Sequence, residues 1–473
     1  MLDTRLFIYL QSFKPTELNR LAKFVDSPAF NTDKELAELL LHLIPALKKG
    51  ETTLLTKQGV WQHLYGKKTY SDLKFRRLYS DLVLKIESFL AFEQYKQNPL
   101  NELSHLMRAL NEKKLTTSFA GANKYSRKLL DKNTQHDADY YYDSFRIETE
   151  YAAYLESMNE RSAEKNLFEA MHALDAFYLV TKLRNCAAIL HYKAVTKFEG
   201  ELAMLPELLQ HLKTHDYSSA PAIRIYYLIV LMLLHPEDEG HFEALNKLLI
   251  KNHEQIARNM ARDMYAFALN YCIRMINRGN ALYLNKALDI YKNMARADLL
   301  TNQGKLSQFD YKNVVTTALR VKDFVYAEQF INEHKAKLKD DERENAYIFN
   351  QARVYFYRKD YKQAMRLLQT VEYNDMFYQL DAKTTLIKCY YELGEYTLLM
   401  SLKDSFVKLL SRKKTISEQH RINYTNFIKF TIKLFRADTR DKKAIADLRK
   451  QFELTSHVAD KTWIEEKIKE LEL

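Results

Sequence analysis

An all-α fold is what this sequence predicts, and three observations carry the prediction. The 473 residues include only 9 glycines and 7 prolines, where average usage would supply roughly 33 and 24. Tight turns between strands consume glycine and long loops consume proline, so a chain poor in both is built of helices joined by short links. No proline follows Pro236, which frees half of the chain of the strongest helix breaker. Apolar residues then recur at three- and four-residue intervals through most of the length.

A chain this long exceeds one compact core, which implies two or more domains or an extended repeat array. Its content, 47% hydrophobic and 28% charged, is ordinary for a soluble folded protein. At the start, Asp3 and Arg5 precede a short apolar run over 6–10, too short for a signal-peptide core. The longest apolar run, 225–234, is about half of a bilayer span and reads as a buried helix. Cys186, Cys272 and Cys389 are odd in number and far apart, which indicates neither a disulfide framework nor a zinc site. The expected location is a reducing cytoplasm, with no membrane span.

Two blocks follow. The first, residues 1–132, is expected to form an N-terminal helical domain, with helices over 6–13, 16–25, 33–47, 56–65 and 71–95 and then a softer segment. Pro15 is placed for a helical first turn and Pro28 for a loop. Ser71 is the expected N-cap of the fifth helix, whose Leu73, Leu78, Leu82, Ile86, Phe89 and Leu90 fall at helical spacing as one buried stripe. The polar run 131–139 is the expected boundary. Beyond it, residues 140–473 show helix after helix with short breaks at Gly200, Gly240, Gly279, Gly304 and Gly394. Helices linked so briefly must be antiparallel neighbours.

The second block repeats itself. Lys322-Asp323-Phe324 and Lys359-Asp360-Tyr361 stand 37 residues apart, and Gly394-Glu395-Tyr396 is a third copy. Three residues after the aromatic come Ala327, Ala364 and Leu399; Tyr355 and Tyr390 stand six before Tyr361 and Tyr396, and Ala352 three further back. This pattern resembles the tetratricopeptide repeat (TPR), a helix–turn–helix unit in which small residues let helix A and helix B touch. Ala352 and Tyr355 match helix A; Tyr361, Ala364 and Leu368 match helix B. The resemblance runs through 346–371, 386–406 and 316–338. It departs from the family in lacking the closing proline and the helix A tryptophan, and in a spacing of roughly 35 to 42 residues. It implies a TPR-like α-α superhelix with a protein or peptide partner on its concave, helix A face. The alternative is an irregular bundle of helical hairpins.

Nothing in the chain has the form of a catalytic, cofactor or metal site. Gly59, Gly66 and Lys67 are too widely spaced for a phosphate loop, and Lys68 stands where a magnesium-holding hydroxyl would be needed. His211 and His215 lie one turn apart, without the acidic partner of a zinc helix. The linker segment 136–143 lacks the glycine and terminal glutamate of a calcium loop. One charge asymmetry remains. Residues 401–450 hold 14 Lys or Arg against five acids, +9 of the chain's +11. Within it Lys429, Lys433, Arg436 and Arg440 step along one helix, with Arg412, Lys413 and Lys414 nearby, as a stripe able to attract phosphates or an acidic protein. Arg76 and Arg77 suggest a weaker DNA-reading hairpin. The expectation is a non-enzymatic, protein-binding scaffold without cofactor or metal. The alternative is a nucleic-acid-binding or regulatory protein acting through 401–450.

Overall fold

The computed structural model describes residues 4–50, 55–160, 163–195, 200–370, 375–412 and 416–473. Among them the fold is all-α: twenty-three α-helices and one hairpin of two-residue strands, Thr301–Asn302 with Lys305–Leu306. The chain divides into two compact units between Lys182 and Leu183.

The first unit begins with α1 (Arg5–Ser12), α2 (Pro15–Asp26), α3 (Lys34–Lys49), α4 (Lys57–Tyr65) and α5 (Asp72–Gln97). Pro15 opens α2, where its missing N–H costs nothing, and the Ser71 hydroxyl accepts from the Lys74 N–H to start α5. The five helices share one core, with Phe7, Leu21, Leu39, Leu43, Leu82 and Ile86 fully buried. The stripe on α5 is rotated from the expected one. Leu78, Leu82, Ile86 and Phe89 are buried, but Leu73 is 82% exposed and Leu90 is exposed, while Phe75, Tyr79 and Val83 turn inward. Leu73 lies in the first turn of α5, before Phe75, Trp61 and Tyr70 gather into an aromatic group that fixes which side faces in.

The segment read as soft is fully helical: α6 (Pro99–Glu112) and α7 (Thr116–Lys132), followed by α8 (Ala138–Ser157) and α9 (Glu164–Val195). Asn98 caps α6 and Asp137 caps α8 through side-chain oxygens. The polar run 133–137 is thus a short link, and helices from both sides of it pack together around Met107, Phe119, Leu130 and Ile147. Two ion pairs tie the same helices, Arg108 with Glu150 and Arg127 with Glu148 at 2.9 Å, the latter carboxylate almost fully buried.

The second unit continues with α10 (Leu205–Thr214), α11 (Pro221–Leu234), α12 (Glu239–Asn252), α13 (Arg258–Asn277), α14 (Leu282–Arg296), α15 (Gln308–Arg320), α16 (Phe324–His334), α17 (Arg343–Tyr357), α18 (Tyr361–Gln369), α19 (Met376–Glu392), α20 (Tyr396–Arg412), α21 (Glu418–Arg436), α22 (Lys442–Glu453) and α23 (Lys461–Glu472). The apolar run 225–234 is a buried helix, α11, as read. Partners are mostly neighbours in sequence: α11 with α12, α13 with α14, α15 with α16, α17 with α18, α19 with α20. Each second helix also packs on the next first helix, and α15, α17, α19 and α21 meet in succession. Two expected breaks differ. Gly240 lies in the first turn of α12, capped by Asp238, and Gly304 turns the small strand hairpin instead of joining two helices.

The repeated Lys-Asp pair has a physical explanation. Lys322, Lys359 and Gly394 all adopt left-handed backbone, with φ of 64°, 65° and 72°. In each copy two N–H groups close the preceding helix. Asp323 donates to the Ala318 carbonyl at 2.9 Å, Asp360 to Tyr355 at 2.9 Å and Glu395 to Tyr390 at 2.8 Å. The residue before each donates three positions back, as in a Schellman closure. The carboxylates of Asp323 and Asp360 then cap α16 and α18, accepting from the Tyr326 and Gln363 N–H groups at 3.1 Å. One dipeptide therefore ends one helix and starts the next. Lysine is strained where glycine is not, so Lys359→Gly is expected to stabilise the protein by about 0.5–1 kcal/mol, measured by chemical denaturation. An unchanged or lower midpoint would count against the assigned turn.

Candidate functional site

The repeat positions occupy equivalent places in successive helix pairs. Ala327 on α16, Ala352 on α17 and Ala364 on α18 are fully buried. Phe324, Tyr361 and Tyr396 open α16, α18 and α20, each half-buried beside the turn. The Tyr361 ring meets Phe356 edge-on at 5.4 Å, and Tyr396 lies 5.3 Å from Phe435. Tyr355 and Tyr390 supply the carbonyls that close their helices, and the Tyr390 hydroxyl accepts from Gln369 at 3.0 Å. Gly394 is the turn itself.

A charged surface runs across the first helices of these pairs. Lys312 of α15 reaches Asp381 of α19 at 2.6 Å, and the Tyr424 hydroxyl of α21 donates to the other oxygen of that carboxylate. Arg353 of α17 donates to Thr316 of α15 and lies over the Phe349 and Tyr357 rings. Lys388 of α19, 8% exposed, pairs with Asp460, which precedes α23. Burial pushes the Asp460 carboxyl upward, but Lys388, Arg353 and Arg320 outweigh it and hold it below its ordinary value. Lys388 alone contacts this carboxylate, and the charges of Arg353 and Arg320 on the two preceding first helices act on it at longer range. Arg320, at the end of α15, is exposed. Arg353 and Lys388 share a place in the repeat, six residues before Lys359 and Gly394, whereas Arg320 stands two before Lys322 and the position equivalent to Arg353 in that pair is Thr316.

The C-terminal basic stripe is altered in the fold. Helix α21 ends at Arg436 because Ala437 is extended, φ −67° and ψ 131°, so Arg440 leaves the helix and pairs with Asp438 at 2.9 Å. Arg436 donates to the Tyr396 hydroxyl at 3.0 Å and Lys433 to Gln451. Burial and the neighbouring Lys429 lower the Lys433 ammonium. Lys429 and Arg412 are exposed; Lys413 and Lys414 lie outside the described residues. The other basic pair, Arg76 and Arg77, faces Asp72 and Asp81 one turn away on α5.

In the first unit a groove of about 800 Å³ follows the outer side of α3. Leu41 and Pro45 line it, with the His42 and His63 rings stacked 3.9 Å apart. Burial, reinforced by His63, keeps His42 below its ordinary pKa. His211 and His215 also stack, at 4.0 Å, and His211 bonds the Tyr217 hydroxyl. Among the described residues no group of three or more His, Cys, Asp or Glu is placed to hold a metal ion. Burial pushes the Cys272 and Cys389 thiols up to about 12, far from a thiolate at neutral pH. Among the same residues no helix is long and apolar enough to cross a membrane. No family model, curated protein or solved structure matches the chain.

Proposed function

We propose that residues 183–473 form a TPR-like solenoid that works as a non-enzymatic cytoplasmic scaffold, holding a peptide or protein segment along the first helices of its pairs. The observation that carries this reading is the succession α15, α17, α19, α21, which lays side chains of four helices beside one another. Such a surface offers fixed charges and aromatic faces to an extended ligand without needing a deep pocket. Nucleic acid is the less favoured partner, because Lys433, Arg436 and Arg440 each engage a side chain of this protein.

Two measurements on the full chain separate the readings. Affinity capture from the native cell after nuclease treatment should retain a protein partner that exposed Arg320→Glu loses. Duplex DNA should bind weakly at physiological salt. If Lys429, Lys433, Arg436 and Arg440 instead track a phosphate backbone, log K will fall by about 0.9 per contact for each unit of log salt. Exchanging all four for Gln would then flatten that slope without loss of helicity. Tight, salt-sensitive DNA binding abolished in the Gln variant would overturn the scaffold reading.

A further inference from the structure

Helix α9 is built inside out over its first half. Ala163, just before it, and Ala170, Ala173 and Ala176 along it are buried, each 8% exposed or less, together with Asn166, which donates to Glu148. The large apolar side chains point away: Leu167 is 45% exposed, Phe168 64%, Met171 59% and Leu174 42%. Tyr178, 40% exposed, follows in the same row, and Tyr142 of α8, 42% exposed, stands 5.1 Å from Phe177 beside it. An ordinary surface helix turns these two sets the other way.

The spacing is specific. Leu167, Met171, Leu174 and Tyr178 advance by four, three and four residues, which is the seam along which one helix mates with another of its kind. Glu164 before the row and Thr181 after it occupy the next seam positions and limit its length. The charges beside the seam are mixed, Glu164 and Asp175 against Lys182, so like-charge repulsion does not oppose a copy of the same helix despite the chain's net +11. The area is also of the right size. About half of each large side chain is open, roughly 80–130 Å² apiece, so the row exposes roughly 400–500 Å² in one molecule. That is the size of the largest apolar patch on an ordinary monomer, a patch that is often functional. Two copies face to face would bury roughly 1,000 Å², the lower limit for a specific interface.

We propose that the Leu167–Phe168–Met171–Leu174 face of α9 is a homodimer interface, covered by the same face of a second copy of this chain about a two-fold axis. The proposal is independent of what the second unit binds.

Sedimentation of the full chain across the micromolar range tests it. The expected result is a mass of two chains, falling to one chain in Phe168→Glu/Met171→Glu, with dissociation at least tenfold easier and thermal unfolding of the helices unchanged. Leu174→Glu alone serves the same purpose should the double variant fold poorly. The apolar exchange Phe168→Leu/Met171→Leu should keep the dimer. Mild oxidation of Met171→Cys/Leu174→Cys should give a covalent dimer whichever way the helices run, because positions 171 and 174 are at the centre of the seam. A wild-type chain that sediments as a monomer throughout, or a glutamate variant that dimerises as well as the wild type, would overturn the proposal.

Discussion

Trp463→Ala is expected to cost about 3–5 kcal/mol, the range for deleting a large buried aromatic side chain. Trp463 opens α23 and is 7% exposed. Its ring stands edge-on to Tyr391 at 5.2 Å and lies 6.0 Å from Phe427, so it joins α23 to both α19 and α21. The indole N–H also donates to Glu392 at 3.2 Å. Glu392 receives Lys467 of α23 at 2.8 Å, a pair in which the side chains are only 13% and 8% exposed. Alanine would open a cavity among aromatic rings and leave that carboxylate one donor short. Trp463→Phe should keep most of the packing and lose the hydrogen bond, for about 1 kcal/mol. Denaturant unfolding followed by circular dichroism gives both numbers. A loss below about 1 kcal/mol for the alanine variant would mean that α23 is not docked as described.

Ala364→Leu and Ala352→Leu are each expected to cost about 1–3 kcal/mol by overpacking. Both residues are fully buried, on two helices, α18 and α17, that pack against each other. A methyl group lets two helical backbones approach closely; three further carbons must push them apart or force neighbouring side chains off their rotamers. Ala327→Leu should behave alike in the preceding pair, α15 with α16. The exposed control Val325→Leu on α16, 76% exposed, should stay within about 0.5 kcal/mol. Midpoints unchanged by all three alanine variants would remove the main support for close helix A–helix B crossings, and with it the TPR-like reading.

These two sets differ in how far the sequence announced them. Helix content was readable because it follows from what the chain lacks, and starts were readable wherever a cap stood in a local pattern, as at Pro15 and Ser71. Ala327, Ala352 and Ala364 were readable as buried because their alignment repeats. The side of a helix that faces inward was harder. Leu73 and Leu90 fit a helical stripe as well as Phe75 and Tyr79 do, and only packing against α4 and its aromatic group decides between them. The same ambiguity hid the first turns of α9, where Ala170, Ala173 and Ala176 are buried while Leu167 and Leu174 are exposed. Helix ends without a proline or glycine were also silent: nothing in the local pattern stops α21 at Arg436, and the stripe carried to Arg440 failed there. Trp463 could not be placed at all, since Phe427 is 36 residues away in sequence and Tyr391 and Glu392 are 72 and 71.

The order in which contacts become available during synthesis follows from this layout. Helix pairs from α11 to α20 touch mainly what has already been made, so each can settle on its predecessor while later residues are still being added. The end of α19 is the exception. Lys388 and Glu392 wait for Asp460 and Lys467, which arrive 72 and 75 residues later. Until then two side chains destined for burial have no counterion, and the growing chain carries an open, charged end. A product stopped short of α23 would keep that end permanently, marked for recognition by chaperones or proteases although every helix before it is complete.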